Sequence, residues 1–285
     1  MGKTVFGAIP EKYTKYDNAA CVILPVPYDE TSTWIKGSAN GPDAILEASA
    51  NMELYDIETD THVYKKGIFT AKPVVENKSP ENLIAAVGKE IKGFLKDDKF
   101  IVTIGGNHTV SIGAFPEYGA RYHDLTILQL DAHADLRQTY DGSRFNHACS
   151  MARAREVCPV LQVGIRSMCE EEKYYLDNER VFYSHDILNK PLWYKRIPEL
   201  LSDNVYVTID LDVFDPSVMP STGTPEPGGL FYYDVLHFLK YINEHSNIVG
   251  CDVVELCPNE QNKAPDFLAA KLIYQILSYK FKYHE

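Results

Sequence analysis

Short apolar runs alternate along this sequence with longer stretches in which apolar residues recur at helical spacing. Eight of the runs fit buried strands, and they lie at residues 20–27, 66–70, 99–106, 125–132, 159–165, 180–184, 205–212 and 248–256. Strands that alternate with helices form βα units, and such units build a mostly parallel sheet. The pattern therefore predicts an α/β fold, because about eight strands fit within one wide sheet.

The stretch after the second run illustrates the helical spacing. Residues 79–98 begin with Ser79, a residue type that caps helices, and carry four regularly spaced apolar residues, Leu83, Val87, Ile91 and Leu95. Side chains four residues apart share one face of a helix, so a helix is predicted here. No Gly/Ser linker, charge block or internal repeat divides the chain, and we expect one domain over residues 1–285.

Charge and composition limit the classes of partner. The 285 residues carry a formal net charge of −12, whereas phosphate binding needs clustered Lys and Arg, so no nucleic-acid partner is expected. The charge mildly favours a cationic substrate, although solubility explains it equally well. No apolar run approaches the roughly 20 residues of a membrane helix, and the first residues lack the features of a secretory signal. We therefore expect a cytoplasmic protein, with its six cysteines as free thiols and no membrane partner.

The fourth strand candidate runs directly into a cluster of possible metal ligands. Asp131, His133 and Asp135 follow it at every second position, and in an extended segment they would point the same way. Two ionised carboxylates held that close repel each other unless a cation lies between them. The alternative is that the two acids cap a turn and that His133 is a core histidine.

The seventh strand candidate ends in the same manner. Asp210 and Asp212 close its apolar run at a spacing of two. Two unrelated strands that both end in such acids are hard to explain by capping alone. Asp215 stands before Pro216, and this pair is a common turn initiator, so a structural role is predicted for it.

The third strand candidate ends in Gly105 and Gly106, which precede Asn107 and His108. A glycine pair permits a tight turn, and we expect it to let the backbone approach a ligand. The segment is too short for a dinucleotide-binding GxGxxG motif and lacks the lysine of a phosphate-binding loop. His108 therefore remains as a candidate metal ligand.

Together the three segments supply four carboxylates and two imidazoles, from His108, Asp131, His133, Asp135, Asp210 and Asp212. This set exceeds the ligand number of one tetrahedral zinc ion, and its oxygen-rich chemistry suits manganese. Two ions that share bridging carboxylates fit the count. Between two ions about 3.5 to 4 Å apart, a bridging water can lose a proton near neutral pH and become a nucleophile.

These motifs resemble those of the ureohydrolases, the family of arginases and agmatinases. The resemblance rests on GGNH (105–108), DAHADLR (131–137), His147 in FNHACSM, TIDLDVFDPSVMPSTGTPEPGG (208–229), DVVELCPN (252–259) and the early segment at 27–45. It implies a three-layer α/β/α fold with a central eight-stranded parallel sheet. It also implies a binuclear manganese site and assembly of the protein into homo-oligomers, either trimers or hexamers.

The resemblance also implies a role for each site residue. One manganese ion would be held by His108, Asp131, Asp135 and Asp210, and the other by Asp131, His133, Asp210 and Asp212. A hydroxide bridging the metals would attack the guanidino carbon of the substrate and release urea and an amine. Glu255 would pair with the guanidinium, Asp135 would transfer the hydroxide's proton to the leaving amine, and His147 would shuttle protons from solvent. The alternative for His147 is a loop histidine without a role.

The motifs favour the agmatinase branch of the family. Arginases usually carry HADIN followed by a segment that reads the amino acid head group, whereas this chain has HADLR (133–137) and then NHACSM (146–151). Because that reader is missing, agmatine is the predicted substrate, giving putrescine and urea. Other guanidino or formimino compounds stay open, namely aminopropylagmatine, guanidinobutyrate, formiminoglutamate and arginine. A metal-stabilised oligomerisation partner with little activity is the remaining alternative.

Several residues near the predicted pocket depart from the agmatinase pattern or fit it poorly. The sequence departs from that pattern at residues 146–150 and 213–214. Both segments are expected to border the pocket and so to affect which substrate tail is accepted. Arg137 fits poorly beside a diamine cation unless it pairs with an acid such as Asp141 or points away. The acidic run at 170–172 could attract a cationic tail, but such runs more often form a solvated helix face.

Overall fold

A computed structural model describes residues 5–76, 78–188 and 190–283, and its strands form one eight-stranded sheet. In chain order they are β1 (Cys21–Val26), β2 (Ile68–Thr70), β3 (Phe100–Gly105), β4 (Leu125–Leu130), β5 (Val160–Ile165), β6 (Val181–Tyr183), β7 (Asn204–Asp210) and β8 (Asn247–Val254). Each predicted run overlaps one of these strands, and β7 and β8 begin one residue before their runs. Every pairing between neighbours is parallel, in the order β2-β1-β3-β8-β7-β4-β5-β6.

Helices cover both faces of the sheet. They are α1 (Gly41–Ser49), α2 (Pro80–Lys96), α3 (Phe115–Arg121), α4 (Ser150–Ala154), α5 (Ser184–Ile187), α6 (Tyr232–His245) and α7 (Ala264–Tyr283). The buried residues of α1, α6 and α7 join the core on one face, and those of α2, α3 and α4 join the core on the other. The predicted three-layer α/β/α fold is therefore confirmed. Among the described helices, none is both long enough and apolar enough to span a bilayer.

The strands read as continuous apolar runs because both of their faces are buried. In β1, Cys21 and Ile23 face the first core, whereas Val22 and Leu24 face the second. A strand covered on both sides has no solvent face on which polar residues would alternate. All six cysteines of the chain are free thiols, as expected.

The helix predicted after Ser79 is α2. The Ser79 hydroxyl accepts a hydrogen bond of 3.2 Å from the backbone N–H of Asn82, which is the capping role expected of it. The four regularly spaced apolar side chains are all buried, at Leu83, Val87, Ile91 and Leu95.

The strand order decides where the site forms. The chain's last strand, β8, lies between β3 and β7, and β4 pairs with the far side of β7. Because all of the strands are parallel, their carboxyl ends meet at one edge of the sheet, where open α/β sheets bind ligands. The four central strands therefore bring the ends of the predicted motifs together at this edge.

Candidate metal centre

The six predicted ligands converge at the carboxyl edge of the central strands. The Nδ1 atom of His108 lies 3.2 Å from Oδ2 of Asp131, 3.1 Å from Oδ2 of Asp135 and 3.5 Å from Oδ2 of Asp210. The Nδ1 atom of His133 lies 2.8 Å from Oδ2 of Asp212 and 3.7 Å from Oδ1 of Asp131. Two groups that could hold a metal ion result, one around His108 and one around His133, and Asp131 belongs to both.

Local hydrogen bonds fix three of these carboxylates. Oδ1 of Asp131 accepts from the backbone N–H of His133 at 2.6 Å, and Oδ1 of Asp210 accepts from that of Asp212 at 2.9 Å. Oδ1 of Asp212 accepts from the backbone N–H of Ala132 at 2.9 Å. In each case Oδ2 is left facing one of the histidines. Turn capping, the alternative to a metal site, is therefore present, and it orients the acids toward the cluster.

Backbone conformation contradicts one detail of the sequence interpretation. Residues 131–135 do not continue as an extended strand, because β4 ends at Leu130 and Asp135 adopts a left-handed conformation with φ of 53°. Glu255 is also left-handed, with φ of 67°. Such conformations cost about 1 to 3 kcal/mol for residues other than glycine and concentrate at functional sites. The three side chains after β4 still converge, but by this turn and not by simple alternation.

The expected use of the glycine pair after β3 was also wrong. A side chain at Gly106 would lie 1.8 Å from the carbonyl oxygen of Tyr28, so the close approach is to this backbone and not to a ligand. The Gly106 N–H donates to Val26, and its carbonyl accepts from the Glu255 N–H at 2.7 Å. The glycine therefore lets three chain segments pack together beneath the site.

The electrostatics of the cluster indicate that it is built around a cation. Burial, together with the charges of Asp212 and Asp135, raises the pKa of Asp131 to about 7. Burial and the charges of Asp212 and Asp131 raise the pKa of Asp210 well above its ordinary value. Carboxylates held this close without a cation retain protons, and a divalent ion would replace those protons.

The two histidines respond to the same acids. Burial opposes a proton on His108, yet the surrounding carboxylates raise its pKa well above the ordinary value. Burial also opposes a proton on His133, but Asp212 raises its pKa to about 11. In return, the His133 charge lowers the pKa of Asp212 despite that residue's burial.

One orphaned atom tests whether a metal fits. The Nδ1 atom of His108 is buried and has no hydrogen-bond partner among the described residues, although three carboxylate oxygens lie within 3.5 Å of it. Such an atom in a native interior calls for a ligand. The donors are mostly oxygens with some imidazole nitrogen, which is chemistry that suits manganese. The residues present therefore fit the predicted metals.

A cavity of about 370 Å³ opens above the cluster, and Asp135, His147 and Glu255 all line it. Glu255 follows β8, and its Oε1 accepts a hydrogen bond of 2.7 Å from the backbone N–H of His108. Burial raises the pKa of Glu255 to about 8. A cationic group beside this carboxylate would favour its ionised form.

His147 begins a short turn, His147–Cys149, which the Asn146 side chain caps by accepting from the Ala148 N–H at 3.2 Å. The Ser150 hydroxyl lies 2.8 Å from the carbonyl oxygen of His147 and 3.0 Å from that of His108, so it ties the two turns together. Burial lowers the pKa of the His147 imidazole, although Asp135 opposes this shift. The lowered pKa favours the neutral form of the ring, which can accept a proton.

The acidic run at 170–172 divides into two parts. Glu170 and Glu171 are exposed, as a solvated face requires, but Glu172 is buried and lines the cavity. Its two carboxylate oxygens accept from the backbone N–H groups of Leu136, at 2.8 Å, and Cys169, at 2.7 Å. The solvated interpretation is therefore wrong for Glu172, which joins two loops at the cavity wall.

The structure also shows the surroundings of Arg137 and Asp215, for which the sequence raised expectations. The Arg137 guanidinium lies 4.7 Å from the centroid of the Tyr140 ring, so it stacks on this ring at the cavity wall. The Asp215 carboxylate accepts backbone hydrogen bonds from Ser217, Gly228 and Gly229, and its pKa is lowered to about 2. This confirms the structural role predicted for Asp215.

Sequence reasoning missed several buried or half-buried polar residues behind the cluster. Gln129, within β4, donates to Oδ2 of Asp131 at 2.7 Å and accepts from Gln162 at 2.6 Å. Arg166 donates to the carbonyl oxygens of Asp212, at 2.6 Å, and Glu226, at 2.9 Å. The available signal was a polar residue inside an otherwise apolar strand, since a buried polar group requires partners.

Comparison with known proteins agrees with this geometry. The model of the arginase family matches residues 19–278, and the chain therefore belongs to that family. It is a ureohydrolase on the agmatinase branch, as its motifs predicted.

Three known proteins illustrate the relationship. The N(1)-aminopropylagmatine ureohydrolase of Synechocystis sp. is 38% identical over 280 residues, which cover 94% of this chain and 92% of that one. The agmatinase of Halalkalibacterium halodurans is 32% identical, with 93% of each chain covered. The crystal structure of the agmatine ureohydrolase of Thermoplasma volcanium superposes with a TM-score of 0.89 at 30% identity, covering 100% of this chain and 96% of that one.

Proposed function

We propose that the chain is one ureohydrolase domain that hydrolyses the guanidino group of agmatine to give putrescine and urea. The observation that carries the proposal is the pair of His/Asp groups that share Asp131, lying beneath a cavity that Glu255 also lines. Relatives named agmatinase support the substrate. The cytoplasmic location and the assembly into trimers or hexamers stay predictions.

The proposed metals are two Mn²⁺ ions. One would be held by His108, Asp131, Asp135 and Asp210, and the other by Asp131, His133, Asp210 and Asp212. When bound, the ions would supply an activated water as the nucleophile near neutral pH.

The chain's own residues bind the substrate and move its protons. Glu255 pairs with the guanidinium through charge-assisted hydrogen bonds and holds its carbon over the cluster. Asp135 accepts a proton from the attacking water and gives it to the leaving nitrogen. His147, which lines the cavity, carries a proton between solvent and the departing amine.

An extended substrate is the second candidate. The Synechocystis relative is named for aminopropylagmatine, which carries an additional aminopropyl group beyond the agmatine chain. The cavity of about 370 Å³ reaches past the cluster to Arg137, Tyr140 and Glu172. The tail of the substrate would lie along this wall.

A substrate panel tests both candidates. Manganese-loaded protein should release urea from agmatine with a higher kcat/KM than from arginine or guanidinobutyrate, and formamide release would report formiminoglutamate. A higher kcat/KM for aminopropylagmatine than for agmatine would select the second candidate. No turnover of any compound would contradict the enzymatic proposal and favour the oligomerisation partner.

Replacing His147 with Asn should lower kcat by about 10² to 10⁴-fold, the usual contribution of a positioned proton-transfer group. Manganese content, measured by elemental analysis, should stay at the wild-type level because His147 is not in the proposed ligand set. His185→Asn is the matched control, since that side chain is 76% exposed. Loss of manganese together with activity in the His147 variant would make His147 a ligand instead.

A further inference from the structure

We infer that Asp252, acting through Thr208, is a positioning residue that fixes the His108 imidazole and strengthens metal binding at the His108 group. This inference rests on the proposed function only in taking His108 as a metal ligand. Asp252 lies in the middle of β8, within the DVVEL segment, and the proposed mechanism does not use it.

A continuous series of hydrogen bonds links Asp252 to His108 through Thr208. The Nε2 atom of His108 lies 2.8 Å from Oγ1 of Thr208, and the Thr208 hydroxyl donates to Oδ1 of Asp252 at 2.6 Å. The other oxygen of Asp252 accepts from the Tyr206 hydroxyl at 2.7 Å. These hydrogen bonds thus lie behind His108, on the side of the ring away from the metal cluster.

The chemistry of the donors sets the direction of this chain. A hydroxyl has one proton to donate, and Thr208 directs it to the Asp252 carboxylate. Oγ1 of Thr208 must therefore accept from His108, which places the ring proton on Nε2. When a metal ion takes the place of a proton on Nδ1, this atom presents its lone pair to the space between Nδ1 and the carboxylates of Asp131, Asp135 and Asp210. This is the form in which an imidazole binds a metal.

Burial and pairing make the chain rigid. Asp252 and Thr208 are fully buried, and they are register partners across the parallel pair of β7 and β8 at the centre of the sheet. Thr208 and Tyr206 donate to the Asp252 carboxylate through neutral hydroxyls, which do not balance its charge. A carboxylate buried in this way is costly, so its orienting effect on His108 gives a reason for its presence.

The second histidine has a different environment. His133 is partly exposed, and its outer nitrogen, Nε2, lies 3.8 Å from the Glu226 carboxylate. The buried hydrogen bonds from Asp252 through Thr208 therefore support only the His108 group. Breaking this series of hydrogen bonds should weaken the binding of one metal ion and leave the binding of the other unchanged. A general loss of stability would weaken the binding of both.

Thr208→Val removes the hydroxyl while keeping the shape of the side chain. Titration of the full-length apoprotein with Mn²⁺, followed by calorimetry and electron paramagnetic resonance, should show one ion bound about 10 to 100-fold more weakly. The other ion should keep its wild-type Kd. Thr208→Ser keeps a hydroxyl at this position and should bind both ions as the wild type does. Asp252→Asn should weaken the binding of the same ion that Thr208→Val affects.

Thr103→Val is the matched control. Thr103 is buried in β3, pairs with Asp252 from the other side, and its hydroxyl has no hydrogen-bond partner among the described residues. This variant should bind both ions normally. Wild-type binding of both ions by Thr208→Val, or equal weakening of both, would overturn the inference. Metal binding is measured without substrate, so failure to hydrolyse agmatine would count against the proposed function alone.

Discussion

Replacing Glu255 with Gln is expected to lower kcat/KM for agmatine by about 30 to 4,000-fold. Gln keeps the shape and the acceptor that binds the His108 backbone N–H, but it removes the charge that faces the guanidinium. Truncating one partner of a buried charge pair costs about 2 to 5 kcal/mol, and 1.4 kcal/mol is a factor of ten. Steady-state kinetics with urea detection measures the loss.

The pattern across substrates makes this test specific. Every guanidino candidate substrate carries the guanidinium, so the Glu255→Gln loss should be similar for agmatine and for any longer or shorter guanidine that is turned over. Glu171→Gln changes an exposed glutamate and should leave kcat/KM unchanged. Normal hydrolysis by the Glu255 variant, or loss of only one substrate, would mean that the proposed binding pose is wrong.

The second large effect is expected for Asp131→Asn and Asp210→Asn. Each residue is proposed to bridge both ions, and a neutral amide cannot balance their charge, so activity should fall below detection. Manganese content by elemental analysis should fall as well, because each substitution weakens metal binding at both ligand groups. Asp141→Asn, at an exposed position, should keep both activity and metal. Full manganese occupancy in both bridging variants would exclude the proposed ligand set.

The strands and the ligand motifs could be predicted because each has a local cause. A strand covered on both faces must be apolar along its length, and acids grouped at its end need a cation or a hydrogen bond. The order of the strands has no such local signal. The position of β8 between β3 and β7 depends on packing between residues far apart in sequence.

The details of the site that were mispredicted depend on tertiary contacts. Gly106 is required by the carbonyl oxygen of Tyr28, which lies 78 positions earlier in the sequence. The carboxylate of Glu172 is bound by the backbone N–H of Leu136, 36 positions earlier in the sequence, whereas the neighbours of Glu172 in the same acidic run stay exposed. Neither Tyr28 nor Leu136 can be identified as a partner from residue type or from spacing.

The central position of the last strand has a consequence for biosynthesis. A nascent chain that has not yet reached residue 247 can form two separate half-sheets, β2-β1-β3 and β7-β4-β5-β6, and only β8 joins them. His108 belongs to the first half-sheet, whereas Asp131 and Asp210 belong to the second. On the proposed ligand set, the ribosome must therefore release the chain through β8 before one sheet joins these residues, so capture of the His108 ion is expected only after β8 has been made.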